Sequence, residues 1–177
     1  MDQNEILRVS VENVRQLISN GLLLLKDVDA QLAQAGFVPV NGSKIGSESS
    51  DDIRQTAGQP VTFLPQYMCR YYSRPADVTG KLLAVNVQLY HYAYDRVVPS
   101  IIAAGCNRKN ANTPLEYGWL QSCVFDSDQP FYDDGTVFAY EDEVAEARYW
   151  ALPLSSFQRS EDVQREAVAK LLEWYEQ

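Results

Sequence analysis

Residues 4–35 read NEILRVSVENVRQLISNGLLLLKDVDAQLAQA, and the spacing of their apolar side chains decides the first half of the fold. Leu7, Val11, Val14, Ile18, Gly21, Leu25, Val28, Leu32 and Ala35 follow one another in alternating steps of four and three. That spacing keeps one face of a helix apolar over four heptads. Ile6, Leu17, Leu22 and Leu24 widen the stripe. Gly36 suits the left-handed position just past a helix end, with Phe37 placed to pack back on the last turn. A helix over these residues is about 48 Å long at ~1.5 Å per residue. Asn20-Gly21 is its weak point, able to kink it or to split it into a helical hairpin. Two uses of the stripe stay open. It packs on the sheet of its own domain, or, because so long a helix overhangs a small sheet, part of it forms a homodimer seam within residues 4–35.

Outward from the helix the texture changes. Residues 41–60 are rich in Asn, Gly, Ser, Asp, Gln and Pro and read as a loop. Residues 61–152 then carry short β-rich runs between turn signals. Val61–Ser73, Lys81–Tyr94, Val97–Cys106, Tyr117–Phe125 and Thr136–Tyr140 are expected strands, and Val144–Leu152 is assigned to strand although its Ala and Glu residues also suit a helix. A second helix over 160–176 closes the chain, with Ser160 as N-cap, Glu161 and Asp162 in the first turn, and Val163, Ala167, Val168, Leu171, Leu172 and Tyr175 as its stripe. The expected fold class is therefore α+β. It is a two-layer sandwich in one domain over 1–177, with a long N-terminal helix, a mostly antiparallel sheet of four to six strands, and a C-terminal helix.

The composition fits one such domain. The chain has 177 residues, 46% of them hydrophobic and 22% charged, so about 70% of the unfolded surface is expected to be buried without help from a disulfide or metal. Apolar runs such as Leu22–Leu25 are far shorter than the ~20 residues a membrane span needs. The acidic start, Met1-Asp2-Gln3-Asn4-Glu5, is unlike a secretory leader. Cys69, Cys106 and Cys123 are odd in number, lack a CxxC pair and lie in apolar surroundings, so they read as reduced core thiols. A cytoplasmic protein is the expectation.

The charge is uneven. Residues 1–109 hold 11 Lys/Arg against 10 Asp/Glu, while residues 110–177 hold 4 against 14, within a net charge of −9. A C-terminal part so poor in Lys and Arg argues against direct nucleic-acid binding there, and favours a basic partner or solubility alone. The candidate partner patch is Asp126, Asp128, Glu141, Asp142, Glu143 and Glu146. Asp126-Ser127-Asp128-Gln129-Pro130-Phe131 begins like a calcium loop but places Pro at a ligand position and Phe where Gly is needed. No metal and no cofactor is expected. A single histidine, His91, excludes a His-rich metal site, and no phosphate-binding glycine loop or nucleophile elbow is present.

The remaining candidates lie on two strands. Asn86, Gln88, Tyr90, Tyr92 and Tyr94 share one face of the Lys81–Tyr94 strand, and Met68, Arg70, Tyr72 and Arg74 share a face of Val61–Ser73. If the strands are neighbours with those faces aligned, Arg70, Tyr72, Arg74, Asn86, Gln88, Tyr90 and Tyr92 make a binding platform. The leading functional expectation is a non-enzymatic, acidic protein-binding module of bacterial or viral style, of the kind that antagonises a basic toxin or nuclease as an immunity protein does. The alternative is a small anionic-ligand or nucleotide-binding protein, or a minor enzyme, using the Arg/Tyr face.

Overall fold

One helix, α1 (Gln3–Gln34), runs through Asn20-Gly21 without a break. In the computed structural model, which describes residues 2–47, 64–75, 79–91, 94, 97–126 and 130–177, Gly21 is a point of close approach and not a kink. A β-carbon there would collide with Met68 and crowd Val87 on the sheet below. The helix ends as its sequence suggests: Gly36 takes φ +83°, its N–H reaches Ala33, and the Phe37 N–H reaches back to Leu32, each at 3.0 Å.

The chain then builds a seven-stranded antiparallel sheet. Its strands are β1 (Val38–Pro39), β2 (Gly46–Ser47), β3 (Tyr67–Ser73), β4 (Lys81–Gln88), β5 (Ser100–Arg108), β6 (Phe138–Glu141) and β7 (Ala145–Pro153). Their order is β1-β3-β4-β5-β7-β6, with β2 also on β3. A short helix, α2 (Trp119–Phe125), precedes β6. After β7 come α3 (Ser160–Val163), a π-helical turn (Gln164–Val168) and α4 (Ala169–Glu176), continuous with one another. Ser160 is the first residue of α3, with Arg159 in the N-cap position. Asp162 accepts from the Arg159 and Gln158 backbones. The π turn coincides with a hydrogen bond from the Trp150 indole to the Glu166 carbonyl, 3.2 Å.

The fold is thus α+β, a long N-terminal helix and a C-terminal helix on a mostly antiparallel sheet. Leu25, Val28, Leu32, Met68, Tyr72, Leu83, Val85, Val87, Ile101, Trp150 and Leu171 form the core under these helices. Each fully buried leucine contributes about 2 kcal/mol of transfer free energy. The other sheet face is covered too, which a two-layer sandwich does not anticipate. Leu120, Cys123, Val124 and Phe125 of α2 bury there against Cys69, Tyr71, Ala84, Ile102 and Ala147. Within the expected Tyr117–Phe125 strand, Trp119–Phe125 is accordingly a helix. Leu120, Cys123 and Val124 recur at helical spacing, and burial of that stripe outweighs the β-preference of the flanking aromatics.

Candidate functional site

The two halves of the Arg/Tyr/amide platform lie on opposite faces of the sheet. Strands β3 and β4 are neighbours, but Arg70 stands opposite Val85 and Cys69 opposite Asn86. Directly opposed residues share a face, so Arg70 and Tyr72 point toward α1 while Asn86 and Gln88 point toward α2.

Both groups are occupied in holding the fold. Arg70 is buried, and its Nε donates to Asp29 Oδ1 of α1 at 2.9 Å. Its remaining nitrogens donate to the Lys44 and Gly42 carbonyls, each at 2.9 Å. The Tyr72 hydroxyl donates to the same Asp29 oxygen at 2.8 Å. Burial, and then the Asp29 charge, push the Tyr72 pKa well up. Arg74, half-buried, donates to Glu176 at 2.6 Å and lies over the Phe37 and Tyr175 rings, 4.9 Å from each centroid. One arginine thus ties α1 and the 42–44 turn to β3, and the other ties β3 to the chain's last helix.

On the far face, the Asn86 amide donates to Gln88 Oε1 at 2.9 Å and the Gln88 amide to the Tyr90 carbonyl at 2.6 Å, all under cover. The Tyr90 hydroxyl donates to the Leu64 carbonyl at 2.6 Å. Tyr92 lies outside the described residues. His91 is buried at the rim, stacked on Phe125 at 4.2 Å and edge-on to Tyr94 at 5.0 Å. Burial lowers its pKa, against an opposing pull from Asp126. All three cysteines are free and buried. Burial raises the Cys69 thiol to about 12 and lifts Cys106 and Cys123 as well, so none is a ready nucleophile.

The acidic residues separate by role. Asp142 is a turn residue. Its Oδ1 accepts from the Val144 and Ala145 backbones at 2.8 and 2.9 Å, and its Oδ2 accepts from the Trp119 indole at 2.8 Å. Glu141 and Glu146 face each other across the β6–β7 hairpin, a like-charge pairing that is unfavourable by itself. Lys109 meets Glu141 at 2.7 Å and the Asn107 amide meets Glu146 at 2.9 Å, which relieves it. Glu143 is exposed at the hairpin tip, and Asp126 is exposed at the end of α2. Asp128 lies outside the described residues. Among the described residues no group of three His, Cys, Asp or Glu gathers as a metal site would, and no helix is long and apolar enough to cross a membrane.

Among the described residues, exposed apolar side chains gather on α1. The buried residues of α1, Gly21, Leu24, Leu25, Val28 and Leu32, all lie in its second half. Its first half carries Ile6, Leu7, Val11 and Val14 at 46, 60, 61 and 38% exposure. Where the helix meets the sheet a groove of about 870 Å³ opens, between Leu17, Leu23 and Asp27 on one wall and Val98, Phe157 and Arg159 on the other. The heptad pattern made this helix visible, but which of its turns are covered depends on strands and helices far along the chain. The groove's second wall comes from Val98-Pro99 and the 153–159 segment, which no local pattern links to α1.

Comparison with protein-family models, with curated proteins and with solved structures returns no match. Any reading of function stands on this chain's own residues.

Proposed function

We propose that the chain is a protein-binding module and that its first helix is a docking element. The observation that carries this reading is the run of exposed apolar side chains Ile6, Leu7, Val11 and Val14 on an uninterrupted helix. Contiguous apolar surface of that kind is uncommon on a chain that works alone, and marks places where another protein sits. The side chains best suited to an anionic ligand, Arg70 and Arg74, are instead engaged with Asp29, the 42–44 carbonyls and Glu176.

The acidic β6–β7 tip supports a second element of the reading. Glu141, Glu143 and Glu146 are exposed, and the chain's negative charge is concentrated in residues 110–177. A basic protein partner is steered to such a surface, which is the behaviour of an acidic antagonist acting in the cytoplasm.

Hydrogen exchange of residues 3–16 tests the docking element. The amides of this segment should exchange fast in dilute purified protein, and slow markedly in concentrated lysate of the source cells. A Leu7→Glu/Val11→Glu variant should show no such slowing. Equal exchange in both settings would overturn the proposal. Charge reversal at Glu141, Glu143 and Glu146 should lower the association rate with poly-lysine and flatten its salt dependence, and unchanged kinetics would remove the steering role.

A further inference from the structure

The dipeptide Asn-Gly occurs twice in the chain, at Asn20-Gly21 and at Asn41-Gly42. The two are chemically alike, and the fold treats them in opposite ways. An asparagine followed by glycine can modify itself, because no side chain on the glycine keeps its backbone nitrogen from the asparagine Cγ. We infer that Asn41-Gly42 is a self-modifying site, at which Asn41 turns into aspartate and isoaspartate, and that Arg70 couples this change to the contact between α1 and β3.

The reaction balances with water alone. The Gly42 backbone nitrogen attacks Asn41 Cγ and forms a new C–N bond. The bond from Cγ to its own amide nitrogen breaks, that nitrogen leaves as ammonia carrying the proton that Gly42 gave up, and a cyclic succinimide remains. Water then opens the ring at either carbonyl. Cleavage between Cγ and the Gly42 nitrogen leaves aspartate on an unchanged main chain. Cleavage between the main-chain carbonyl carbon of residue 41 and that nitrogen leaves isoaspartate, whose main chain runs through Cβ and Cγ and is longer by one carbon. Either route exchanges an amide for a carboxylate, and nothing is oxidised or reduced.

Geometry selects residue 41 over residue 20. Asn41 and Gly42 are both exposed, in the turn between β1 and β2. The Gly42 N–H reaches the Pro39 carbonyl at 3.3 Å, longer than such bonds ordinarily are, so it is held only weakly. Gly42 stands at φ +57°, with no atom within 4 Å of where a β-carbon would lie, which leaves room for the ring. At Asn20-Gly21 the same atoms are locked. Gly21 is buried within α1, its N–H is committed to the carbonyl four residues back, and Met68 and Val87 close over it. Asp134-Gly135 could cyclise by the same chemistry, but the Gly135 N–H is held by the Ala151 carbonyl at 2.9 Å. Hydrogen bonds from Thr136 also favour the ionised Asp134 carboxylate, a poor target for a nucleophile.

The consequence reaches the first helix. Arg70 holds the Gly42 carbonyl at 2.9 Å with one nitrogen and Asp29 of α1 at 2.9 Å with another. An extra main-chain carbon immediately before Gly42 displaces that carbonyl from the guanidinium, whereas aspartate on an unaltered main chain leaves it in place. Isoaspartate is therefore the form that loosens the turn.

The test is incubation of the purified full chain at mildly alkaline pH, folded and in guanidinium chloride. Peptide mapping by mass spectrometry follows the mass gained when NH2 is replaced by OH, and an isoaspartate methyltransferase with labelled S-adenosylmethionine counts isoaspartate. Residue 41 should convert in the folded chain while residue 20 does not, and both should convert at similar rates in the denaturant. The isoaspartate-rich fraction should melt below the fresh protein, whereas freshly made Asn41→Asp should melt with the wild type. Asn41→Gln should stop the mass gain at this turn and keep its melting temperature through the same incubation. The inference is overturned if residue 41 of the folded chain is unchanged once the denatured chain has fully converted, or if residues 20 and 41 convert equally in the folded chain. An isoaspartate-rich fraction that melts with the fresh protein would refute the coupling through Arg70.

Discussion

Trp174 of α4 packs against Gly105 in the middle of β5, so closely that a β-carbon at 105 would collide with the indole ring. Gly105 stands opposite Leu83 and Arg148, and the missing side chain is what lets the last helix settle on the sheet. Lys81 covers the same indole from 5.8 Å. Gly105→Ala should therefore overpack the contact and destabilise the chain by about 1–3 kcal/mol, a fall of several degrees in melting temperature for a protein of this size. Trp174→Ala in the same chain should recover part of that loss. A double-mutant cycle with no coupling between the two positions would contradict the contact.

Arg70 makes the next prediction. Its guanidinium holds Asp29, Lys44 and Gly42 together from beneath α1. Replacing it with Met keeps the apolar stem and removes every donor. The Lys44 and Gly42 carbonyls and the Asp29 carboxylate then lose their partner, although Asp29 still keeps the Tyr72 hydroxyl. A loss of about 2–3 kcal/mol is expected, less than for a fully buried pair because a third of Asp29 remains in solvent. Urea unfolding measures it. A loss of less than 0.5 kcal/mol, roughly that of an ordinary surface change, would mean that the arginine is not the tie described.

The helix, the strands and their α+β arrangement were legible because burial leaves a period in the sequence. Leu25, Val28 and Leu32 announce a helix face, and Leu83, Val85 and Val87 announce a strand face. The platform was not legible, because it depends on register. Alternation shows that Asn86 and Gln88 share a face, and that Arg70 and Tyr72 share one. Only the pairing of Arg70 with Val85 tells which faces coincide. Helix α2 was misread for a related reason: its aromatic and β-branched residues suit a strand, and the second covered sheet face that makes a helix profitable there is a tertiary fact.

His91 gives a prediction in pH. Burial depresses its folded pKa below the usual value near 6.5, with Asp126 pulling the other way. Below about pH 6.5 the unfolded chain therefore takes up the proton first. The stability contributed by the neutral imidazole is full above that pH and is lost as pH falls through the folded value. His91→Phe keeps a ring against Phe125 and removes the proton. Melting temperature should fall between about pH 6.5 and 5 in the wild type, and fall less in the variant. Parallel curves would refute the assignment.

Asp142 governs the acid limb below that range. Burial alone would raise its carboxyl, but hydrogen bonds from the Ala145 backbone, the Trp119 indole and the Val144 backbone outweigh burial and hold the pKa below its ordinary value. A carboxylate of lowered pKa contributes stability that is complete above the unfolded value of about 3.9 and disappears as pH drops through the folded one. The β6–β7 turn and the start of α2 share this one side chain, so they should loosen together on acidification. Trp119 reports the event if Trp150 and Trp174 are replaced by Phe, provided that background still folds at neutral pH. Its emission should shift as the indole N–H loses the carboxylate. Asp142→Asn retains an acceptor without the charge. It should lower the melting temperature at neutral pH by about 2–4 °C, the size of a 1 kcal/mol change in a chain this long, and remove the Trp119 transition from the acid titration. If the transition persists in that variant, the carboxylate at 142 is not what links the hairpin to α2.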